Sequence, residues 1–323
     1  MIKLVRNLMT RKEVGGSLRN QRFPILVIEG FRGAGKATLL SALSELLDQR
    51  VPHARLDFEA NEHASIPQVL SALAFKLSIR CPRYGALRFP RFIIGQLVMD
   101  LNLDLNNRPL ACREVVAELE RLRGVDTFTD VLVDTAGNVL KTMGRGGALP
   151  VEPPRSMLRI ILEGLTKGAP RRIVLGSFQN WYGHRGLGAT KDSIDELVTL
   201  NQWANNAKDG NENDQQRVGR LLLAAFIADL RAEFDRGKRA DERSLNCVVL
   251  LDNVDTELGR QFLEELAQTR LQHGPDDADP LTVVASSGGM LLADIPDEDW
   301  SLVTLADLRS GQLPDTADLS RPW

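Results

Sequence analysis

Residues Gly30 to Thr38 read Gly-Phe-Arg-Gly-Ala-Gly-Lys-Ala-Thr, directly after the apolar run Ile25-Leu26-Val27-Ile28 and directly before Leu39-Leu40-Ser41-Ala42-Leu43. A strand that passes through glycines into a helix brings unpaired backbone N–H groups to one point, and phosphate oxygens collect there. Gly30, Gly33 and Gly35 permit the close approach that side chains block, Ala34 is small, and Lys36 adds a charge suited to β- and γ-phosphates. The spacing predicts a nucleotide-phosphate loop formed by Gly30, Gly33, Ala34, Gly35, Lys36, Ala37 and Thr38. A plain strand-to-helix turn is the alternative. Where a Ser or Thr hydroxyl usually follows the lysine and holds Mg²⁺, the chain has Ala37. Thr38 is then the candidate metal ligand, through a shifted register or a water.

A carboxylate beside such a loop must hold the metal and its water shell. Cys247-Val248-Val249-Leu250-Leu251 is a continuous apolar run, the pattern of a parallel strand covered on both faces, and it ends in Asp252-Asn253-Val254-Asp255. Asp252 is the expected Walker B acid and a metal ligand. Asn253 stands where a water-orienting acid is common and cannot accept a proton. Asp255 is the expected base, with a cap on a helix over 257–273 as the alternative. A third run, Leu281-Thr282-Val283-Val284-Ala285, ends in Ser286-Ser287-Gly288-Gly289. Ser286 or Ser287 is placed to sense a γ-phosphate; the other reading is a polar turn.

Val131-Leu132-Val133-Asp134-Thr135-Ala136-Gly137 mimics the Asp-x-x-Gly switch of a GTPase. However, Phe128, Val131, Leu132, Ala136, Val139, Leu140 and Met143 recur at helical steps, which leaves Asp134 and Gly137 off the apolar stripe. No guanine-reading Asn/Thr-Lys-x-Asp motif follows. Together the glycine loop, the Leu-Leu-Asp252-Asn-Val-Asp255 strand end and the Val-Val-Ala-Ser-Ser strand end resemble the STAND class of P-loop ATPases, signalling relatives of AAA+ proteins, over residues 22–60 and 244–290. The resemblance implies ATP and Mg²⁺ as cofactors and a nucleotide-gated switch, whose partners are further copies of the chain or an effector protein. Ala37, Asn253 and the lack of an arginine after Ser287 imply slow or conditional hydrolysis. The alternatives are a nucleotide-binding scaffold without useful turnover, a small-molecule kinase drawing its acceptor pocket from a helical insert, and the GTPase.

The elements that must position these residues read as an α/β fold: a P-loop NTPase three-layer parallel sheet with a helical insert. Residues 1–80 form the first part of the nucleotide-binding core, with Ala54 to Phe58 as a second strand and a helix over 66–79. Residues 81–170 read as the helical insert, its helices broken by Pro, Asn and Gly. Residues 171–323 carry the remainder of the core, re-entering the sheet at 171–176. Asp192 to Ala204 and Val218 to Phe234 are helical patterns within that segment. Between lies Trp181-Tyr182-Gly183-His184-Arg185-Gly186, read as an aromatic anchor for a long loop, or else as a base- or phosphate-contacting segment. The pattern weakens after Gly289, so either a lid is absent or these residues are the front portion of a longer protein.

A net charge of −3 provides no electrostatic reason to expect nucleic acid as a partner. Arg80, Arg83, Arg88 and Arg91 make a small basic cluster, read as solvated surface or as internal partners of acids. Three cysteines at unrelated spacings fit neither a disulfide framework nor a zinc site, which points to a reducing, cytoplasmic setting. The start of the chain lacks the apolar core of a signal peptide, and no stretch is long enough to cross a membrane.

Overall fold

The computed structural model describes residues 2–14, 17–19, 25–121, 181–183, 192–235, 243–272 and 278–291. They divide into two compact units, one holding residues through Leu87 together with those from Leu230 onward, the other holding Arg88 through Asp229.

The first unit is built on a four-stranded, all-parallel sheet. Its strands are β3 (Leu26–Glu29), β4 (His53–Asp57), β5 (Cys247–Asp252) and β6 (Leu281–Ser287), in the spatial order β3-β6-β5-β4. The register pairs Ile28 with Ser286, Leu251 with Ala285, and Asp57 with Asp252. Every residue of β5 and β6 is buried, which explains their unbroken apolar sequences. On one sheet face Val248, Leu250 and Val284 pack with Leu40, Leu43 and Leu47 of α2 (Lys36–Leu47) and with Val5 and Met9 of α1 (Ile2–Met9). The alternate residues Val249, Leu251, Val283 and Ala285 are buried as well, so a second layer covers the other face. There α3 (Ile66–Ser78) lies against β4, and Phe58 meets Phe262 of α8 (Glu257–Leu271) with ring centroids 5.9 Å apart.

Handedness explains this division. The β3–α2–β4 connection crosses the sheet in one direction and β5–α8–β6 returns in the other, so right-handed crossovers require their helices to lie on opposite faces. The chain therefore leaves β3 and β5 toward opposite faces of the sheet, with the end of β6 between the two exits. Two local caps fix the helices of the second layer: the Ser65 N–H donates to Gln68 Oε1 at 2.7 Å, and Thr256 accepts from the Gly259 N–H at 3.1 Å. The helix expected over 257–273 is thus capped by Thr256 and not by Asp255. Helix α1 has no counterpart in the sequence expectation. Thr282 donates to the Leu8 carbonyl at 3.1 Å, and the Asn246 N–H donates to the Met9 carbonyl at 2.7 Å. A separate two-stranded antiparallel ladder joins β1 (Lys12–Val14) and β2 (Ser17–Arg19).

The second unit is helical wherever it forms regular elements among the described residues: α4 (Pro90–Met99), α5 (Arg108–Arg121), α6 (Ser193–Lys208) and α7 (Glu212–Asp235) up to Asp229. Phe89 stacks on Phe226 at 4.9 Å, and Phe92 meets the same ring edge-on at 6.1 Å. Asn201, fully buried, donates to the carbonyls of Val98 and Leu101 at 2.8 and 2.9 Å, closing the end of α4. Residues 192–229, which the sequence reading assigned to the returning core, fall in this second unit together with α4 and α5. An amphipathic stripe identifies a helix but not the core it covers. The expected strand at 171–176, the GTPase-like stretch 131–137 and the helix over 127–143 lie outside the described residues, as do residues 184–188 of the aromatic loop.

Candidate functional site

The glycine loop sits at the C-terminal edge of β3. The Gly30 N–H donates to the Ser287 carbonyl at 3.2 Å, which ties the loop's first residue to the end of β6. Gly33 and Gly35 turn the chain at φ of +85° and +83°, conformations that side chains disfavour, and a Cβ at either position would meet nothing within 4 Å. The loop is therefore open above its glycines. Gly35 opens α2 with no side-chain cap, and the first intrahelical donor is the Leu39 N–H, which bonds the Gly35 carbonyl at 2.9 Å. The preceding helix N–H groups have no acceptor within the helix. Lys36, the first helical residue, curls back so that Nζ donates to the carbonyls of Gly30 at 2.5 Å and Phe31 at 3.1 Å. Ala37 and Thr38 are both exposed on this first turn. The arrangement can present several N–H donors and one ammonium group to an anion.

Asp252 lies across the same sheet edge and is buried. Its two oxygens are both engaged: Ser286 Oγ donates to Oδ1 at 2.5 Å, and Arg55 Nη2 donates to Oδ2 at 3.1 Å. Ser286, itself buried, also accepts the Asn253 N–H at 3.2 Å, so its hydroxyl links the acid to the backbone that follows β5. Asn253 adopts φ of +56°, which asparagine tolerates, and donates through Nδ2 to Asp57 Oδ1 at 2.9 Å. Arg55, midway along β4, spans from Asp252 to the Ser41 hydroxyl of α2, and that hydroxyl in turn donates to the Ala37 carbonyl at 3.0 Å. The main-chain oxygen of Arg55 accepts from Lys76 Nζ. Burial, then repulsion from Arg55, lowers the Lys76 ammonium to about 8.

Asp255 serves the turn after β6. It accepts from the Ser287 hydroxyl at 2.8 Å, from the Met290 N–H at 3.1 Å and from the Gly288 N–H. Partial burial pushes its carboxyl up, but these donors outweigh that effect and hold it below the usual carboxylate value. A carboxylate so low and so fully hydrogen-bonded is a weak proton acceptor. Ser287 is likewise committed, since it also accepts the Gly289 N–H at 3.0 Å.

The structure thus brings together at one sheet edge the glycine loop, Lys36, Asp252, Ser286, Ser287 and Asp255. Sequence reasoning missed Arg55 and Ser41. The available signal was a polar alternation along β4, where His53, Arg55 and Asp57 share one face of an otherwise buried strand.

In the helical unit Trp181 and Tyr182 are buried, as an aromatic anchor requires. Tyr182 donates to the Arg91 carbonyl at 2.9 Å, and its own carbonyl accepts from Ser193. Arg91, from the basic cluster, is the internal partner of an acid: Nη1 donates to Asp229 at 2.8 Å, and the Phe92 N–H bonds the same carboxylate at 2.9 Å. Complete burial nevertheless pushes Asp229 up to about 7.

Among the described residues no group of three or more His, Cys, Asp or Glu side chains is placed to hold a metal ion, and no helix is long and apolar enough to cross a membrane. No protein-family model, curated protein or solved structure matches the chain.

Proposed function

We propose that this chain is an ATP-binding regulatory module of the P-loop ATPase kind, related to the STAND switches, in which nucleotide binding outweighs turnover. The observation that supports this most is the strand order. β6 runs between the glycine-loop strand and the Asp252 strand, so Ser286 and Ser287 reach the edge between the loop and the acid. Lys36 and the uncapped start of α2 would hold the phosphates, and the open space above Gly33 and Gly35 accommodates them. Phosphates also supply the negative charge that a lysine folded on its own carbonyls lacks.

Binding is better supported than hydrolysis. Asn253 cannot accept a proton, and Asp255 is held ionised by three donors. Nor do the residues favour Mg²⁺: Ala37 stands where the hydroxyl is customary, Thr38 lies one residue further along the exposed first turn, and each oxygen of Asp252 already accepts a hydrogen bond. A bound nucleotide would instead act on the bonds that join the loop to β6 and β6 to the two acids. A switch requires states that bind ATP and ADP with different free energy.

The test is gel filtration with ATP, with ADP and without nucleotide, on the wild type and on Asp252→Asn, alongside a turnover assay. The module reading expects slow turnover, an elution volume particular to ATP, and loss of that difference in the variant. Identical elution in all three conditions with ATP bound favours the static scaffold, a reading to which Asn253 and the saturated Asp255 also lend support.

A further inference from the structure

We propose that Arg55 occupies the counter-ion position at Asp252 that a divalent cation fills in comparable sites, so that the glycine loop binds nucleotide phosphates without a divalent metal. This inference rests on the loop-binding reading above and concerns the same site.

Three observations carry it. Arg55 Nη2 donates to Asp252 Oδ2 at 3.1 Å while Ser286 Oγ donates to Oδ1 at 2.5 Å, so a metal would approach an acid whose charge is already compensated by a charge-assisted bond. The guanidinium is also fixed from the other side, because its second terminal nitrogen donates to Ser41, and Ser41 is held on the Ala37 carbonyl at 3.0 Å. Finally, the side chain of Asp252 is 2% exposed and that of Arg55 is 29% exposed. What solvent or a ligand meets at this pair is the cation, not the carboxylate.

The local chemistry agrees. Mg²⁺ demands near-octahedral oxygen ligands, and sites for it draw one or two from the protein. The first turn of α2 offers Ala37 at the customary place. A guanidinium carries five N–H donors in a rigid fork suited to phosphate as well as carboxylate, and the structure uses two of them. Arg55 can therefore neutralise Asp252 and still face an anion. Arg55 is a positioning and charge-compensating residue, since the contacts it makes here are to protein groups.

The experiment is isothermal titration calorimetry of the full chain with ATP and with ADP, in excess EDTA and in excess Mg²⁺. The expected wild-type affinities agree within about threefold between the two conditions, well under the roughly tenfold step that 1.4 kcal/mol represents. Arg55→Gln is expected to lose about tenfold in EDTA and to recover when Mg²⁺ is added, because Asp252 is then free to hold a metal. Wild-type binding that appears only with Mg²⁺ overturns the inference and leaves the loop reading intact. An Arg55→Gln variant that folds and binds like wild type in EDTA also overturns it. Absence of binding in both conditions overturns the loop reading and this inference together. If Arg55→Gln does not fold, the wild-type comparison decides alone, and Arg55→Gln combined with Asp252→Asn removes the pair without leaving a buried charge.

Discussion

Ser286→Ala removes the hydroxyl that joins the acid strand to the strand beside it. In the wild type this fully buried group donates to Asp252 Oδ1 at 2.5 Å and accepts the Asn253 N–H at 3.2 Å. The alanine variant removes one of the bonds to the buried Asp252 carboxylate and leaves the partly buried Asn253 N–H without its acceptor. At roughly 1–3 kcal/mol for each buried polar group stranded, and with Asp252 still held by Arg55, the expected loss is about 2–4 kcal/mol. That corresponds to a fall in melting temperature of roughly 5–15 °C for a unit of this size. Ser287→Ala is the control. Ser287 donates to Asp255, which keeps its bonds from Gly288 and Met290, while the Gly289 N–H it releases lies on an exposed turn. Its expected cost is below about 1.5 kcal/mol. Urea unfolding followed by circular dichroism measures both. A Ser286→Ala cost no greater than that of Ser287→Ala would refute the claim that the Asp252–Ser286–Asn253 link is a buried, fully satisfied junction.

Two further substitutions probe the frame around the site. At Gly259 an added Cβ would lie 2.7 Å from the Val254 carbonyl oxygen and 2.8 Å from its Cα, both backbone of a buried residue, so Gly259→Ala should lower the urea midpoint by about 1–3 kcal/mol equivalent; a change within 0.5 kcal/mol, the roughly neutral range for surface substitutions, would contradict that packing. Lys76, lowered from 10.5 to about 8, is less protonated folded than unfolded between those values, so its contribution to stability rises across that window by at most about 3 kcal/mol. Burial pushes the Tyr84 hydroxyl and the Cys247 thiol up, and they act in the opposite direction at alkaline pH, so the readout is the difference between wild type and Lys76→Met. That difference should be largest below pH 8 and shrink toward pH 10.5. A difference that does not vary with pH sinks the assignment.

The sequence carried β3, β5 and β6 because all three are short apolar runs, fully buried in β5 and β6 and partly buried in the edge strand β3, and each ends in the residues found at the sheet edge: Glu29-Gly30, Asp252-Asn253 and Ser286-Ser287. The strand order was not legible. Nothing in the local pattern of Leu281 to Ser287 says that it inserts between β3 and β5, since its pairing with β3 joins residues more than 250 positions apart. Distance along the chain also hid Arg55. Its bond to Asp252 spans 197 positions, and an arginine in a strand reads locally as a surface residue. Asp255 was legible as a carboxylate near the edge, whereas its three donors belong to a turn that forms only when β6 is in place. Helix α1 escaped notice because its partners, Leu40, Val248 and Val284, come from three distant segments. The extent of the helical unit failed to show for a related reason: the stripe on residues 218–229 is equally compatible with a sheet or with other helices as its cover.

The central claim is that the Gly30–Thr38 loop binds nucleotide through Lys36. It is tested most directly by the thermal stability of wild type and Lys36→Ala with and without ATP, in EDTA and again in Mg²⁺. At a hundredfold excess over Kd, a ligand that binds only the folded state adds about 2.7 kcal/mol, a readily measured rise in melting temperature. The account predicts that rise in the wild type under both conditions and its loss in Lys36→Ala, each protein being compared with its own melting temperature in the absence of ATP. Equal ATP-induced shifts in the two proteins, or no shift in the wild type, would contradict it.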